Sequence, residues 1–258
     1  MDYIKIYNNL FSYAKNNKTD LFKEEMEAIK KDYKFNINII DKTNKYFINY
    51  AIITNNIELT KYLLENGAKL DMDNDNNTII TIPIEYNMNE LLEILLEADK
   101  NNIGTSIINF KNRAKKTPLH IAIEFKNMNA IQLLLKYKAN ANVSDKDGYN
   151  ALYYAVKSKS IEICTLILQY VTNIDSRCVS GESVLHIACA LQFTSCVKLL
   201  VQNKIDVNIH DTENEITAIY HCVSLNNYEL TEYLINNNAK LDIQDTRGNT
   251  ILHYAISY

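Results

Sequence analysis

The chain contains no tryptophan and few residues that break regular structure: only 5 glycines and 2 prolines occur among 258 residues. Loops that cradle phosphate groups are rich in glycine, and none of the patterns G-x-G-x-x-G, G-x-x-x-x-G-K or G-x-S-x-G is present. The H-E-x-x-H zinc motif, the EF-hand loop and the kinase signatures are also missing. We therefore expect no cofactor, no metal, no catalytic residue and no small-molecule substrate.

Long apolar runs and paired cysteines are missing as well. No stretch of 18 consecutive residues is apolar, and the N-terminus lacks the apolar segment and cleavage site of a signal peptide. The cysteines are odd in number and form no C-x-x-C pair; they are Cys164, Cys178, Cys189, Cys196 and Cys222. This set favours reduced thiols over a secreted disulfide framework. We therefore expect a cytoplasmic protein that binds no membrane.

The chain has no excess of positive charge. It carries 27 basic and 31 acidic residues, a formal net charge of −4, which argues against a nucleic-acid binder held by phosphate contacts. The charge is uneven, because residues 51–100 hold 3 basic and 10 acidic residues, residues 101–150 hold 8 and 3, and residues 201–258 hold 3 and 8. The basic stretch either steers a partner of opposite pattern or is an ordinary solvated loop.

A six-residue pattern recurs along the chain. It reads Thr-Pro-Leu-His-Ile-Ala from Thr117, and its fourth position returns at residues 120, 153, 186, 220 and 253, in steps of 33 or 34. Weaker copies begin at Tyr46 and Thr78, and a step of 39 before His120 indicates an insertion within residues 101–116. Such a period is typical of a repeat architecture.

A second apolar stripe follows most copies of the pattern. One example is the set Leu59, Tyr62 and Leu63, whose spacing of 3 and 4 is typical of a helix with one buried face. Each unit is therefore predicted to contain a turn, a short helix, a longer helix and an exit loop. The N-terminal segment has two similar stripes, which include Leu21 and Phe22.

These repeated residues resemble the ankyrin-repeat family over residues 41–258. The resemblance implies an all-α fold, an ankyrin-repeat solenoid of stacked helix-turn-helix units with short β-turn or hairpin tips. We expect a divergent capping repeat at 1–40 and an ankyrin-repeat domain at 41–258, with repeats at about 41–72, 73–107, 112–144, 145–177, 178–210 and 211–244, and a partial repeat at 245–258.

The partial repeat ends five residues past His253, so we expect its first helix to be barely begun. Each repeat is buried by its neighbour, which would leave apolar surface uncovered at this end. We expect the chain to continue, or a partner or a second copy to associate end to end with this surface.

Several repeated residues are predicted to serve the fold. His120, His186 and His253 lie two repeats apart and cannot converge on one metal ion. The resemblance implies that these imidazoles hydrogen-bond the backbone of the neighbouring repeat. Hydroxyl side chains are placed as N-caps of the first helices, at Thr117, Ser183, Thr217 and Thr250. Glycines mark the preceding turns, at Gly148, Gly181 and Gly248.

An ankyrin stack presents its tips and first helices on one concave side, where the resemblance implies that a partner protein binds. Aromatic and arginine side chains dominate binding energy at interfaces, so Phe125, Tyr149 and Arg113 are the leading candidates. The full set of candidates is Arg113, Lys116, Glu124, Phe125, Lys146, Tyr149, Lys157, Glu182, Leu191, Glu213, Glu215 and Leu225. For any single member the alternative is an ordinary surface residue.

We therefore predict a non-catalytic protein–protein interaction scaffold that binds another protein, and neither nucleic acid nor membrane. A host-interaction or effector protein, delivered to a host cell, is one form of this prediction. The alternative is the substrate-recruiting arm of a longer enzyme or ubiquitin-ligase adaptor, with a catalytic or F-box-like part beyond residue 258. The family also implies a hydroxylation site at Asn208, which follows Asp-Val with Leu200 eight residues upstream.

Overall fold

The computed structural model describes residues 2–32, 35–70, 79–100 and 106–257. These residues divide into two compact units, Met1–Arg113 with Asn129–Ala139 (unit 1) and Ala114–Met128 with Asn140–Tyr258 (unit 2). The predicted boundary between residues 72 and 73 and residues 101–105 of the predicted insertion lie outside the described residues. No helix in the described ranges is both long and apolar enough to cross a bilayer.

The described residues form fifteen helices. In chain order they are α1 (Tyr3–Lys15), α2 (Thr19–Ile29), α3 (Phe47–Ile53), α4 (Ile57–Glu65), α5 (Thr81–Glu85), α6 (Asn89–Lys100), α7 (Pro118–Glu124), α8 (Met128–Lys136), α9 (Ala151–Lys157), α10 (Ile161–Leu168), α11 (Val184–Ala190), α12 (Thr194–Gln202), α13 (Ala218–Ser224), α14 (Tyr228–Asn236) and α15 (Ile251–Ser257). Isolated β-bridges at two tips of unit 2 join Arg177 to Ser183 and His210 to Thr217.

Unit 1 is built from paired helices, with α1 on α2, α3 on α4 and α5 on α6. The first pair packs against α3 through Phe22, whose ring meets that of Phe47 edge to face with the centroids 5.4 Å apart. Phe22, Met26 and Ile29 form the buried face of α2. The prediction that Leu21 shares this face is wrong: its side chain is 43% exposed, because it lies one residue off the buried spacing.

In unit 2 the short helices α7, α9, α11, α13 and α15 pack one on the next. All five contain seven residues, so the expectation that the last one is barely begun is wrong. Helix α15 begins at Ile251, two residues before His253, and the four residues that follow this histidine complete the standard length.

One side-chain column joins successive repeats of unit 2. Nε2 of His186 lies 3.1 Å from the carbonyl oxygen of Ile216, the residue that precedes the next N-cap. Tyr153 donates its hydroxyl hydrogen bond to the equivalent carbonyl of Glu182. Histidine and tyrosine therefore serve the same purpose at this position, and the structural role predicted for the imidazole is confirmed at His186.

The residue type at this repeat position also influences how the N-terminus of each short helix is capped. Nδ1 of His120 accepts the backbone N–H of Thr117 at 2.9 Å, and Nδ1 of His186 accepts that of Ser183 at 3.1 Å. Thr217 is followed three residues later by a tyrosine and makes no side-chain capping hydrogen bond. Thr217 is the N-cap residue of α13, as predicted, but its buried hydroxyl finds no partner among the described residues, so the hydroxyl hydrogen bond predicted there is wrong.

The turn tips of unit 2 form a ladder of backbone hydrogen bonds from one repeat to the next. The bonds run from Lys146 N–H to Ala114 O, Val179 to Asp147, Thr212 to Ser180 and Thr246 to Asn214, at 3.2, 3.0, 3.0 and 3.0 Å. Gly181 has a φ of +81°, and a Cβ there would lie 2.5 Å from the Thr212 nitrogen. The ladder therefore needs a glycine where two tips touch.

Candidate partner-binding groove

A groove in unit 2 is enclosed by two tips and the ends of two short helices. It has a volume of about 560 Å³ and is lined by Ala114, Lys116, Glu124, Lys126, Asp145, Lys146, Asp147, Tyr149, Tyr154, Lys157 and Ser158. We call this cavity the tip groove. The backbone bond between the tips, from Lys146 to Ala114, holds its two walls together.

Asp145 forms the floor of the tip groove. Its Oδ2 accepts the Tyr154 hydroxyl at 2.6 Å, and its Oδ1 accepts two backbone N–H groups, of Asp147 and Tyr149, at 2.9 Å each. Burial of Asp145 raises its pKa, but the hydrogen bonds from Tyr154 and the two amides outweigh burial and hold the pKa below its usual value. The carboxylate is therefore charged, and its hydrogen bonds are directed into the protein.

Lys116 and Glu124 face each other across one wall. Lys116 Nζ lies 2.6 Å from Glu124 Oε1 and 5.4 Å from the centroid of the Tyr154 ring. The side chains are 28% and 39% exposed, so solvent screens the pair and it contributes little to stability. Its main effect is that the two charges neutralise each other.

Tyr149 forms the opposite wall with Lys157. The Tyr149 ring packs on that of Tyr153 with centroids 5.0 Å apart, and Lys157 Nζ lies over the Tyr149 ring, 3.7 Å from its centroid. Burial raises the pKa of Tyr149, so its phenol remains protonated at neutral pH. This wall therefore presents a hydroxyl donor beside an ammonium group.

Five of the residues predicted from the sequence line this groove: Lys116, Glu124, Lys146, Tyr149 and Lys157. Three more are the C-cap residues of short helices in unit 2: Phe125 follows α7, Leu191 follows α11 and Leu225 follows α13. We call these three residues the helix-end column. Phe125 is 54% exposed and Leu225 is 42% exposed, so the column offers apolar surface.

The remaining candidates lie outside the groove lining. Glu213 and Glu215 are exposed on a later tip, while Glu182 is half-buried and accepts the Ser180 hydroxyl at 3.0 Å. Arg113 is exposed in unit 1.

Asn208 is half-buried in an exit loop. Its amide donates to Asn238 O at 3.0 Å and accepts Lys240 N–H at 2.8 Å. Its side chain therefore ties two loops together, and hydroxylation there stays a prediction.

Sequence reasoning missed the floor of the groove. The spacing Asp-x8-Tyr recurs in the chain, and Tyr50 donates to Asp41 at 2.7 Å just as Tyr254 donates to Asp245 at 2.9 Å. This recurrence was the available signal for Asp145. In the ranges that the structure covers, no group of three or more His, Cys, Asp or Glu residues could hold a metal ion.

Comparison with known proteins gives one consistent result. A family model described as ankyrin repeats in three copies matches residues 10–106, 102–178 and 185–258. An ankyrin repeat protein of Acanthamoeba polyphaga mimivirus is 36% identical over 252 residues, which are 97% of this chain and 33% of the relative. An ankyrin repeat protein of fowlpox virus is 27% identical over 201 residues, which are 76% of this chain and 48% of the relative.

A solved structure shows the same fold. The ankyrin repeat domain of Bcl-3, a member of the IkappaB protein family, matches with a TM-score of 0.74 at 23% identity and covers 81% of this chain and 91% of that chain. The chain spans a third to about half of the length of the two viral relatives. The period, the paired helices and the family match together show that this chain belongs to the ankyrin-repeat family and has its all-α solenoid fold.

Proposed function

We propose that this chain is a non-catalytic interaction scaffold that binds a partner protein on the concave face formed by the tips and short helices of unit 2. Ankyrin repeats are a protein-interaction module, and the proposal assigns that role to particular residues. The observation that carries it is that five candidates from separate parts of the repeat line one groove.

The surface has the composition expected of a binding site. The tip groove supplies charged and hydroxyl groups, and Phe125 of the helix-end column supplies an aromatic side chain that is 54% exposed. Aromatic residues often contribute most of the binding energy, while a polar rim supplies specificity. Phe125 and Tyr149 are therefore the proposed anchors.

We further propose that the partner is a host protein and that the module works in a reducing cytoplasm. The viral relatives support the first point. The five cysteines, which are free and buried, support the second. Affinity capture from amoebal lysate, compared with bacterial lysate, tests the choice of host.

Selection from a random-peptide display library tests the binding face while the natural partner is still unidentified. Selected peptides should bind the wild type and lose at least tenfold in affinity to Phe125→Ala or Tyr149→Ala, since truncating an anchor costs about 1.4 kcal/mol or more. Tyr228→Ala is the matched control, because Tyr228 is 81% exposed in unit 2 and lies outside the groove lining. Equal binding by the three variants would reject the proposed face.

A further inference from the structure

We propose that the tip groove recognises an acidic polypeptide segment, whose carboxylates bind the ammonium groups of Lys126, Lys146 and Lys157. This inference rests on the proposed function, because it names the chemistry of the partner at the same site. It follows from which charged groups of the groove already have partners within the protein and which are open to a ligand.

The groove lining contains four lysines and three acidic residues. Glu124 neutralises Lys116 at 2.6 Å, and Asp145 accepts three hydrogen bonds from its own repeat. Lys126, Lys146 and Lys157 are exposed and make no ion pair within the described ranges. The acidic groups that remain are the exposed carboxylate of Asp147 and the buried, charged carboxylate of Asp145, so the three lysines are in excess by one charge.

Tyr149 adds a donor to this positive surface. Its ring is held between Tyr153 and Lys157, while its hydroxyl makes no hydrogen bond to any residue that the structure describes. A carboxylate accepts hydrogen bonds only, so it matches a group of N–H and O–H donors, and bonds to a charged group are the stronger kind. The groove is therefore complementary to Asp or Glu side chains.

The surrounding charge favours a short acidic peptide over a nucleic acid. The next two tips of unit 2, residues 177–183 and 210–217, carry Arg177 against four carboxylates, those of Glu182, Asp211, Glu213 and Glu215. A polyphosphate backbone that continued past the groove would meet this negative surface. A peptide can be acidic only where it faces the groove, so it avoids the repulsion.

The test measures binding of a fluorescein-labelled peptide of alternating Glu and Ser by fluorescence anisotropy. An otherwise identical peptide of alternating Gln and Ser is the ligand control. We expect the Glu peptide to bind at least about tenfold more tightly than the Gln peptide at low salt, and we expect this preference to shrink at about 0.3 M salt, where the Debye length is shorter than about 8 Å.

Charge reversal then locates the site. Lys146→Glu combined with Lys157→Glu should weaken binding of the Glu peptide by about tenfold or more, since two attractions become repulsions. Lys159→Glu is the matched control, because Lys159 is exposed two residues after Lys157 and lies outside the groove lining; it should change affinity by less than about threefold. Circular dichroism verifies folding, and Lys126→Gln with Lys146→Gln replaces the double reversal if that variant unfolds.

Equal binding of the Glu and Gln peptides, or equal loss in the double variant and in Lys159→Glu, overturns the proposal. Tighter binding of a DNA duplex with the same lysine dependence also overturns it and identifies a nucleic-acid site instead. If display-selected peptides depend on Phe125 and Tyr149 while charge reversal has no effect, the proposed function stands and only the acidic partner is rejected. If neither group of variants changes binding, both proposals fail.

Discussion

Acidification from about pH 6.5 to about pH 4 should destabilise unit 2 through one buried histidine. His186 is fully buried, and its Nδ1 accepts the Ser183 N–H, so its proton lies on Nε2 and points at Ile216 O. Burial lowers the pKa of His186 from 6.5 to about 4, although the hydrogen bond to Ile216 opposes this shift. Protonated Nδ1 would face the Ser183 N–H, two donors in contact.

The size of the effect follows from proton linkage. The unfolded chain protonates this imidazole near pH 6.5 and the folded chain only near pH 4, so the unfolded state binds more protons between these values. The stabilisation is therefore complete above about pH 6.5 and is lost as the pH falls to 4, and a difference of about 2.5 units corresponds to about 3 kcal/mol. His221, 6.1 Å away between ring centroids, also has its pKa lowered by burial and acts in the same direction.

The chain itself suggests the matched variant. Tyr153 occupies the same repeat position and bonds the equivalent carbonyl without an imidazole, so His186→Tyr should keep the contact and remove the titration. Urea unfolding at pH 7 and at about pH 4.5 should show the wild type losing about 2 kcal/mol more than His186→Tyr. His253→Tyr, at an exposed site, should behave as the wild type does. Parallel losses in wild type and His186→Tyr would refute the reasoning.

Three further predictions concern the backbone at two glycines, self-association through α15 and the hydrogen bond in the floor of the tip groove. Gly181→Ala should lower the free energy of unfolding by about 2 kcal/mol or more, because the added Cβ would strike the Thr212 backbone. Gly67→Ala should cost only about 1 kcal/mol, because Gly67 also has a positive φ but has open space around it. Thermal unfolding measures both losses, and equal losses would contradict the clash with Thr212. Leu252 and Ile256 on α15 are 64% and 78% exposed, so the wild type should self-associate as its concentration rises in sedimentation velocity. A variant with both Leu252→Glu and Ile256→Glu should remain monomeric. Identical profiles would reject end-to-end association. Tyr154→Phe removes the hydroxyl that donates to the buried Asp145 carboxylate and should lower the free energy of unfolding in urea by about 1 to 3 kcal/mol. An unchanged free energy of unfolding would contradict a stabilising role for that hydrogen bond.

The sequence alone was sufficient for the repeat and its helices, because each unit carries its own periodic pattern of buried residues and its own capping residues. Tyr153 and His186 show why: at this repeat position both side chains meet the carbonyl that precedes the next N-cap, so the role of the position can be inferred from spacing. The inference failed at Thr217, where the tyrosine three residues later cannot accept the N-cap hydrogen bond as an imidazole does.

Only the tertiary structure decided which surface residues line one groove. The proximity of Lys157 to Tyr149, the pairing of Lys116 with Glu124 and the floor made by Asp145 depend on side-chain directions and on how neighbouring tips stack. A repeat period sets which residues are equivalent, but it carries no information about which non-equivalent side chains meet. The sequence therefore determined the scaffold, and the packing of one tip on the next determined which of its charges remain open to a partner.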